Sequence, residues 1–401
     1  MTAPLAGIRI VDLSTVIFGP YAAQTLGDYG ADVIKVEVPG GESTRYTGPS
    51  PESGMAVMFL GSNRNKRSVV LDLKRAEARD ALLRIVEGAD VFMHSMRPQK
   101  LAALGLDPDT LRTRNPRLVF ANLVGFGSHG PYSGRPAYDD IVQGLSGNAA
   151  LMQMQAGEPR YLPMVAADKA SSLVAVHAIL AALFARERKG EGCVVEIPMF
   201  ESMVAFNLVE NFYGHHLTPP AAPMGYPRVL DAWRRPYRTT DGYVCMLPYT
   251  DAHWARFFAE AGQPELARDE RFAGIAARTK HIAALYETAG RLIATRSTAD
   301  WLAACERLEI PAAPMNRLED LLEDPHLKAS GFFQSLHDAA IGEVRFASFP
   351  VRIDDEDPPL RMPPRLGQHT RAVLSETGLD EAVIEGLLAS GAARGVPPAG
   401  A

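Results

Sequence analysis

Short apolar runs and longer stretches with apolar residues every three or four positions alternate along the chain as far as Val124. The runs Gly7 to Leu13, Asp32 to Glu37, Val69 to Leu73, Asp90 to Ser95 and Leu118 to Val124 read as buried strands. Between them, a segment rich in Ala and Leu opens at Pro20 and closes near Gly30, and Ala76 to Glu87 has helical periodicity. Strand, helix and strand within roughly thirty residues make a βαβ unit, which joins parallel strands. Repetition of that unit predicts an α/β fold. Its large domain is a doubly wound, Rossmann-like parallel sheet with a binding crevice at the carboxyl ends of the strands.

The longest periodic segment follows. Val165, Ala166 and Ala167 lead to Asp168, after which Leu173, Val176, Leu180 and Phe184 recur at helical spacing. Arg186, Arg188 and Lys189 crowd the last turn before Gly190, where cations favour the negative end of a helix. Asp168 therefore stands at a helix N-terminus. Capping is the commonest use of an Asp there. The alternative is a carboxylate held against an apolar wall and available for chemistry.

Beyond this helix the pattern gives a strand at Val194 to Ile197 and a helix at Met199 to Tyr213. His215-His216 reads as a helix end, since adjacent residues point to different sides and no third ligand is near. Pro219 to Pro223 is a linker into a smaller α+β unit that runs to about Asp324. Asp241-Gly242 marks a hairpin from Arg238 to Met246, and helices begin near Asp251, Arg278 and Ala299, the last capped by Ser297 or Thr298. Glu343 to Ile353 reads as strand, Leu379 to Leu388 as a closing helix, and Gly395 to Ala401 as a mobile tail.

Composition narrows the function. A chain of 401 residues is long for one domain, so two are expected. The net charge of −6 gives no long-range attraction to nucleic acid or an anionic membrane, so neither is expected as a partner. The apolar run Val174 to Phe184 is short for a bilayer span and is interrupted by His177. The amino-terminal residues lack the pattern of a signal peptide, and a cytoplasmic location is expected. Cys193, Cys245 and Cys305 lie far apart and match no metal-ligand spacing, so reduced thiols and no metal are expected.

Several segments carry candidate chemistry. Glu37 at a strand end suggests a ribose contact, but Ser14 to Pro20 holds one glycine where a dinucleotide turn needs three. Arg64, Lys66, Arg67 and Lys74 gather around the third strand, and Arg97 and Lys100 follow the fourth. Such residues form either a solvated face or a receptor for a phosphorylated ligand. The loop Gly125-Phe126-Gly127-Ser128-His129-Gly130 is either a flexible turn or a backbone cradle. Tyr138-Asp139-Asp140 follows it, then a helical segment from Gln143 to Met154.

Taken in order, these segments resemble the class III coenzyme A transferases, the CaiB/BaiF type that includes formyl-CoA and carnitine CoA transferases and α-methylacyl-CoA racemase. The resemblance rests on Leu5 to Leu13, Gly30 to Glu37, Asn65 to Lys74, Gly125-Phe126-Gly127 with Gly130-Pro131, Ala167-Asp168 and its helix, and Asp324 to Leu327. It implies an interlocked homodimer. Each chain would have a large domain at 1–215, a small α+β domain at 225–325, and a segment at 326–401 returning to the large domain.

By the same likeness Asp168 matches the catalytic aspartate. Coenzyme A, as acyl-CoA co-substrate, would lie along Val16, Ile17 and Phe18, along Leu71, Asp72, Leu73 and Lys74, along Ser95, Met96 and Arg97, and near Tyr138 and Asp139. Lys100 joins them by its charge and position. The implied reaction moves CoA from a thioester to a free carboxylic acid through an aspartyl anhydride and an aspartyl-CoA thioester. An Asp of ordinary pKa is ionised at neutral pH and needs no partner base. Oxyanion donors are expected from the Asp168 helix or the Gly125 to Gly130 loop.

Departures from the family pattern qualify this. Ile17 replaces a substrate-contacting glutamine of formyl-CoA transferase, which argues against oxalate and formate. His94-Ser95-Met96-Arg97-Pro98 replaces Glu-Asn-Phe-Arg-Pro, and no glycine-rich cover is evident near Gly225 to Tyr237. Tyr138 stands where racemases carry a catalytic histidine, which favours transfer over racemisation. The competing readings are a racemase-like enzyme, a silent acyl-CoA binding protein and a nicotinamide dehydrogenase. Arg45, Arg64, Arg228, Arg234 and Arg235 are candidates to receive a second carboxylate.

Overall fold

The computed structural model describes residues 3–396; the last residues of the expected tail, 397–401, lie outside them. The first elements are β1 (Arg9–Asp12), α1 (Phe18–Asp28), β2 (Asp32–Glu37), α2 (Val57–Ser62), β3 (Lys66–Leu71), α3 (Ala76–Glu87) and β4 (Val91–His94). Then come α4 (Pro98–Ala103), α5 (Pro108–Arg114), β5 (Val119–Val124), α6 (Asp139–Leu145), α7 (Asn148–Ala156), α8 (Ala166–Lys189) and β6 (Val194–Pro198). The chain divides into two compact units. One comprises Met1–Ser146, Met164–Phe206 and Lys328–Ala401, and the other Gly147–Pro163 and Asn207–Leu327.

The first unit is built on a seven-stranded sheet in the order β12-β3-β2-β1-β4-β5-β6, where β12 is Ala393–Arg394. All neighbours are parallel except β12, which runs antiparallel to β3. The inner order 3-2-1-4-5-6 reverses between β1 and β4, the topological switch point where such sheets open a crevice. Alternation along the strands supplies two cores. Val11, Phe92 and Phe120 face Leu82 and Val86 of α3, whereas Ile10, Val91 and Val119 face α1 and α8 through Ala22, Leu26, Val176 and Ile179. Among the described residues, α8 alone has the length and apolar composition of a membrane span, and half of that stretch is buried within the protein.

Some elements differ from the sequence expectation. α1 opens at Phe18, with Pro20 in its first turn, where a missing N–H costs nothing. The helical segment expected through Gln143 to Met154 breaks at Ser146-Gly147 into α6 and α7. The strand expected from Glu343 to Ile353 ends at Ala347.

The second unit holds a three-stranded antiparallel sheet, Tyr237–Arg238, Tyr243–Met246 and Ala312–Pro314. Helices Asp251–Glu260, Ile282–Ile293 and Thr298–Arg307 pack on it around Trp254, Phe257, Phe258 and Trp301. Ser297 caps the last of these helices by accepting the Asp300 N–H.

Candidate active site

At the switch point, the turns after β1, β4 and β5 and the start of α8 enclose a cavity of about 250 Å³. Val16, Phe18, Ser95, Met96, Arg97, Tyr138 and Asp168 all line it. Gly125, Phe126 and Ser128 of the glycine loop line it too, whereas Ile17, Leu71 to Lys74, Lys100 and Asp139 do not. Ile17 is buried one position from the wall, and Lys100 is exposed one turn into α4. Leu71, Asp72, Leu73 and Lys74 end β3 at the same carboxyl edge of the sheet. There Leu71 is buried, Asp72 donates its N–H to the Ala392 carbonyl at 2.8 Å, and Lys74 is exposed.

Asp168 is the third residue of α8, not its cap; Val165 precedes the helix and offers no side-chain hydrogen bond. The cap comes from elsewhere. Asp139, at the start of α6, accepts the N–H groups of Ala167 at 2.7 Å and Asp168 at 3.1 Å on Oδ1, and its Oδ2 accepts from Gln143 at 2.6 Å. Those two α8 N–H groups are therefore engaged and do not serve as oxyanion donors. The Asp168 side chain is 8% exposed, and among the described residues no donor bonds to its carboxyl oxygens. Burial, and then the negative charge of Asp139, push its pKa up to about 7. The ordinary, fully ionised aspartate expected from sequence is thus corrected to one close to half protonated at neutral pH.

The glycine loop is also committed. Gly127 N–H donates to Glu201 at 3.0 Å, and Ser128 donates its N–H and hydroxyl to Glu196 at 3.0 and 3.1 Å. Gly125 is required for close approach, because a Cβ there would collide with Ala137. The loop shapes the cavity wall but keeps these donors for its own glutamates.

α1 behaves differently. Its N-terminus has no side-chain cap, and among the described residues no acceptor takes the N–H groups of Ile17, Phe18 or Gly19. Ser172, one turn after Asp168, donates its hydroxyl to the Phe18 carbonyl at 2.6 Å and the Asp168 carbonyl at 2.7 Å, tying α1 to α8. Sequence reasoning passed over Ser172, although its i+4 spacing from Asp168 was a usable signal.

Half of the suspected basic receptor is spent on ion pairs within the unit. Arg64 pairs with Asp28 at 2.7 Å, Lys66 with Asp12 at 3.2 Å, and Arg67 with Asp32 at 2.6 Å. Arg45 grips both oxygens of Glu37 at 2.7 Å and lies over the Phe59 ring, which removes Glu37 as a ribose ligand and Arg45 and Arg64 as carboxylate receptors. In the second unit Arg228 donates to the Tyr286 hydroxyl at 2.9 Å, and Arg235 stacks on Trp233. Arg97 remains exposed at the cavity wall. His94 is buried beside the rings of Phe92 and Phe120, where burial pulls its pKa down to about 4 and keeps it neutral. Among the described residues no cluster of His, Cys, Asp and Glu is placed to hold a metal ion.

Comparison with known proteins gives this geometry a context. The family model described as CoA-transferase family III matches residues 5–370. The chain is 34% identical over 392 residues to the succinate–glutarate CoA-transferase of Agrobacterium fabrum, covering 93% of this chain and 95% of that one. It is 32% identical over 392 residues to the probable fatty acyl-CoA transferase Rv3272 of Mycobacterium tuberculosis, covering 93% and 98%. The crystal structure of a CaiB/BaiF family protein from Brucella suis superposes with a TM-score of 0.78 at 32% identity, over 94% of this chain and 100% of that one.

Proposed function

The chain belongs to CoA-transferase family III and is an enzyme of that class, and on that premise we propose that Asp168 carries the transferred group. The Asp168 carboxylate attacks the thioester carbonyl of a bound acyl-CoA; a C–O bond forms, the C–S bond breaks, and CoA leaves as thiolate. The thiolate then attacks the aspartyl carbonyl of the mixed anhydride. The acyl group leaves as a free carboxylate and CoA stays on the enzyme as a thioester. An acceptor carboxylate reverses the two steps and departs as the new acyl-CoA, regenerating Asp168.

The observation that carries this reading is the isolation of the Asp168 carboxyl, buried at the cavity with no donor among the described residues and with Asp139 close by. Burial and the neighbouring charge penalise the carboxylate, and forming the anhydride or the thioester removes that charge. The same environment makes the ionised form more basic, hence a stronger nucleophile. The uncapped start of α1 supplies a donor for each tetrahedral oxyanion through the N–H of Phe18, which lines the cavity. CoA would approach over Val16, Phe18, Ser95, Met96 and Tyr138, with Arg97 and Lys100 toward its phosphates and Leu71 to Lys74 further along the sheet edge.

The Agrobacterium relative is named for succinate and glutarate, and we carry that class over to this chain: dicarboxylic acids exchanging CoA. Free cysteines suit a reducing compartment such as the cytoplasm. An interlocked homodimer is supported by large apolar side chains left exposed at Leu173, Phe184 and Phe206, and light scattering of the purified chain tests it. The mechanism is tested by adding hydroxylamine during turnover of succinyl-CoA with glutarate. The expected result is a hydroxamate on the Asp168 peptide; product formation with that peptide unmodified would overturn the reading.

A further inference from the structure

The turn after β1 is gripped from below by a buried ion pair. Lys35 Nζ lies 3.3 Å from Glu42 Oε2, with both side chains essentially sealed from solvent. Lys35 also donates to the Ser14 carbonyl at 3.0 Å, and Glu42 accepts the Val16 N–H at 3.1 Å. The pair therefore holds the residues on either side of Thr15. Thr15 donates its own N–H to Ser95 Oγ at 3.2 Å, across the switch point. Glu42 is fixed in turn by the Thr44 hydroxyl at 2.6 Å and Asn63 Nδ2 at 3.4 Å.

What this pair holds is a residue outside its preferred conformation. Val16 has φ of +71°, the left-handed region that a β-branched side chain avoids. The strained residue lines the cavity and is followed directly by Ile17, Phe18 and Gly19, the uncapped start of α1. Strain of this kind persists only where its surroundings over-determine it. A buried ion pair is in itself weak support for stability, because desolvation offsets most of the attraction. Both features have one explanation if the pair exists to aim the turn.

We propose that Lys35 and Glu42 are positioning residues that hold Val16 in the left-handed conformation, and so direct the N–H group of Phe18, two positions on, toward the acyl group carried by Asp168. This rests on the nucleophilic role of Asp168 proposed above. Glu42 touches neither substrate nor the reacting atoms; it acts through the Val16 N–H.

The test is a pair of substitutions that address the same backbone from opposite sides. Glu42→Ala removes the restraint, and kcat for succinyl-CoA with glutarate is expected to fall by about tenfold or more, with KM for the thioester nearly unchanged. Glycine adopts positive φ without cost, so Val16→Gly in the Glu42→Ala background is expected to restore much of kcat. A purely stabilising Glu42 would instead lower the melting temperature, leave kcat of the folded enzyme intact and gain nothing from Val16→Gly; that pattern overturns the proposal. Should Glu42→Ala not fold, Glu42→Gln carries the test. It keeps an acceptor for Val16 but loses Lys35, and a kcat equal to wild type counts against the clamp. Amide hydrogen exchange on the peptide spanning residues 14–19 reads the restraint without any assay of transfer. Faster exchange in Glu42→Ala supports it and unchanged exchange refutes it, even if Asp168 proves not to be the nucleophile.

Discussion

The N-termini of α1 and α8 are tied by Ser172 and both contribute to one cavity, yet they are finished in opposite ways. α8 has its first donors consumed by Asp139 and presents a carboxyl group that no donor among the described residues reaches. α1 carries no cap and presents N–H groups that no described acceptor takes. A helix start is a ready-made anion site. The protein spends one such site internally and leaves the other open. A nucleophile surrounded by donors would be stabilised as the free carboxylate and lose reactivity. An oxyanion site filled by a cap would have nothing left for the transition state. Under the proposed mechanism, the division would give each helix the half of the chemistry that the other would spoil.

The largest break in this comparison is Asp168→Asn, which removes the proposed nucleophile while preserving shape. Transfer should fall by about a thousandfold or more, measured by mass spectrometry of the acyl-CoA products. Folding should respond in the other direction. In the unfolded chain Asp168 loses its proton near 3.8, and in the folded chain near 7, so the native state loses stability as pH rises between those values. Above pH 7 the neutral Asn variant should therefore be more stable than wild type, by up to about 4 kcal/mol in urea denaturation.

Asp139 separates the cap from the charge. Asp139→Ala leaves the α8 donors unpaired and should cost roughly 1–2 kcal/mol of stability. Asp139→Asn keeps an acceptor and should fold normally. In the wild type, kcat/KM should rise with pH through a midpoint near 7, as Asp168 ionises. In Asp139→Asn that midpoint should move to lower pH, because one cause of the raised pKa is gone. An unmoved midpoint would leave burial as the whole cause. The smallest effect is expected from Ser172→Ala, which unties the two helix starts. A loss of about 1 kcal/mol is expected, measured by denaturation, with a mild fall in kcat.

The sheet and the long helix were legible because their signals are local. β2 and α3 fall on the residues read from periodicity, and α8 ends at Gly190 behind its three cations, as composition of the last turn requires. Asp168 was singled out by family likeness and by its place at a helix start, and it lies at the cavity wall. What it experiences there was not legible, since its pKa is raised by burial that only the fold produces, and then by Asp139, twenty-nine positions earlier in the chain. The basic cluster misled for the same reason. Arg64, Lys66 and Arg67 look available in a linear reading, but their partners Asp28, Asp12 and Asp32 sit on neighbouring elements that only the fold brings alongside. Glu42 gave no signal at all; its meaning depends on the backbone angle of Val16.

The antiparallel pairing of β12 with β3 has a bearing on biosynthesis. β3 lies within the first seventy-odd residues to be made, but the strand that covers its outer edge is formed by Ala393 and Arg394. Ser68 and Val70 also find partners at His369 and Thr370, so until residues 361–394 have been made the nascent sheet carries an open border of hydrogen-bonding groups, the kind of edge on which foreign strands align. A chain cut short before Arg361 should keep all of its cavity-lining sequence and yet be prone to clump, because the groups that close this border are made some 300 positions after it.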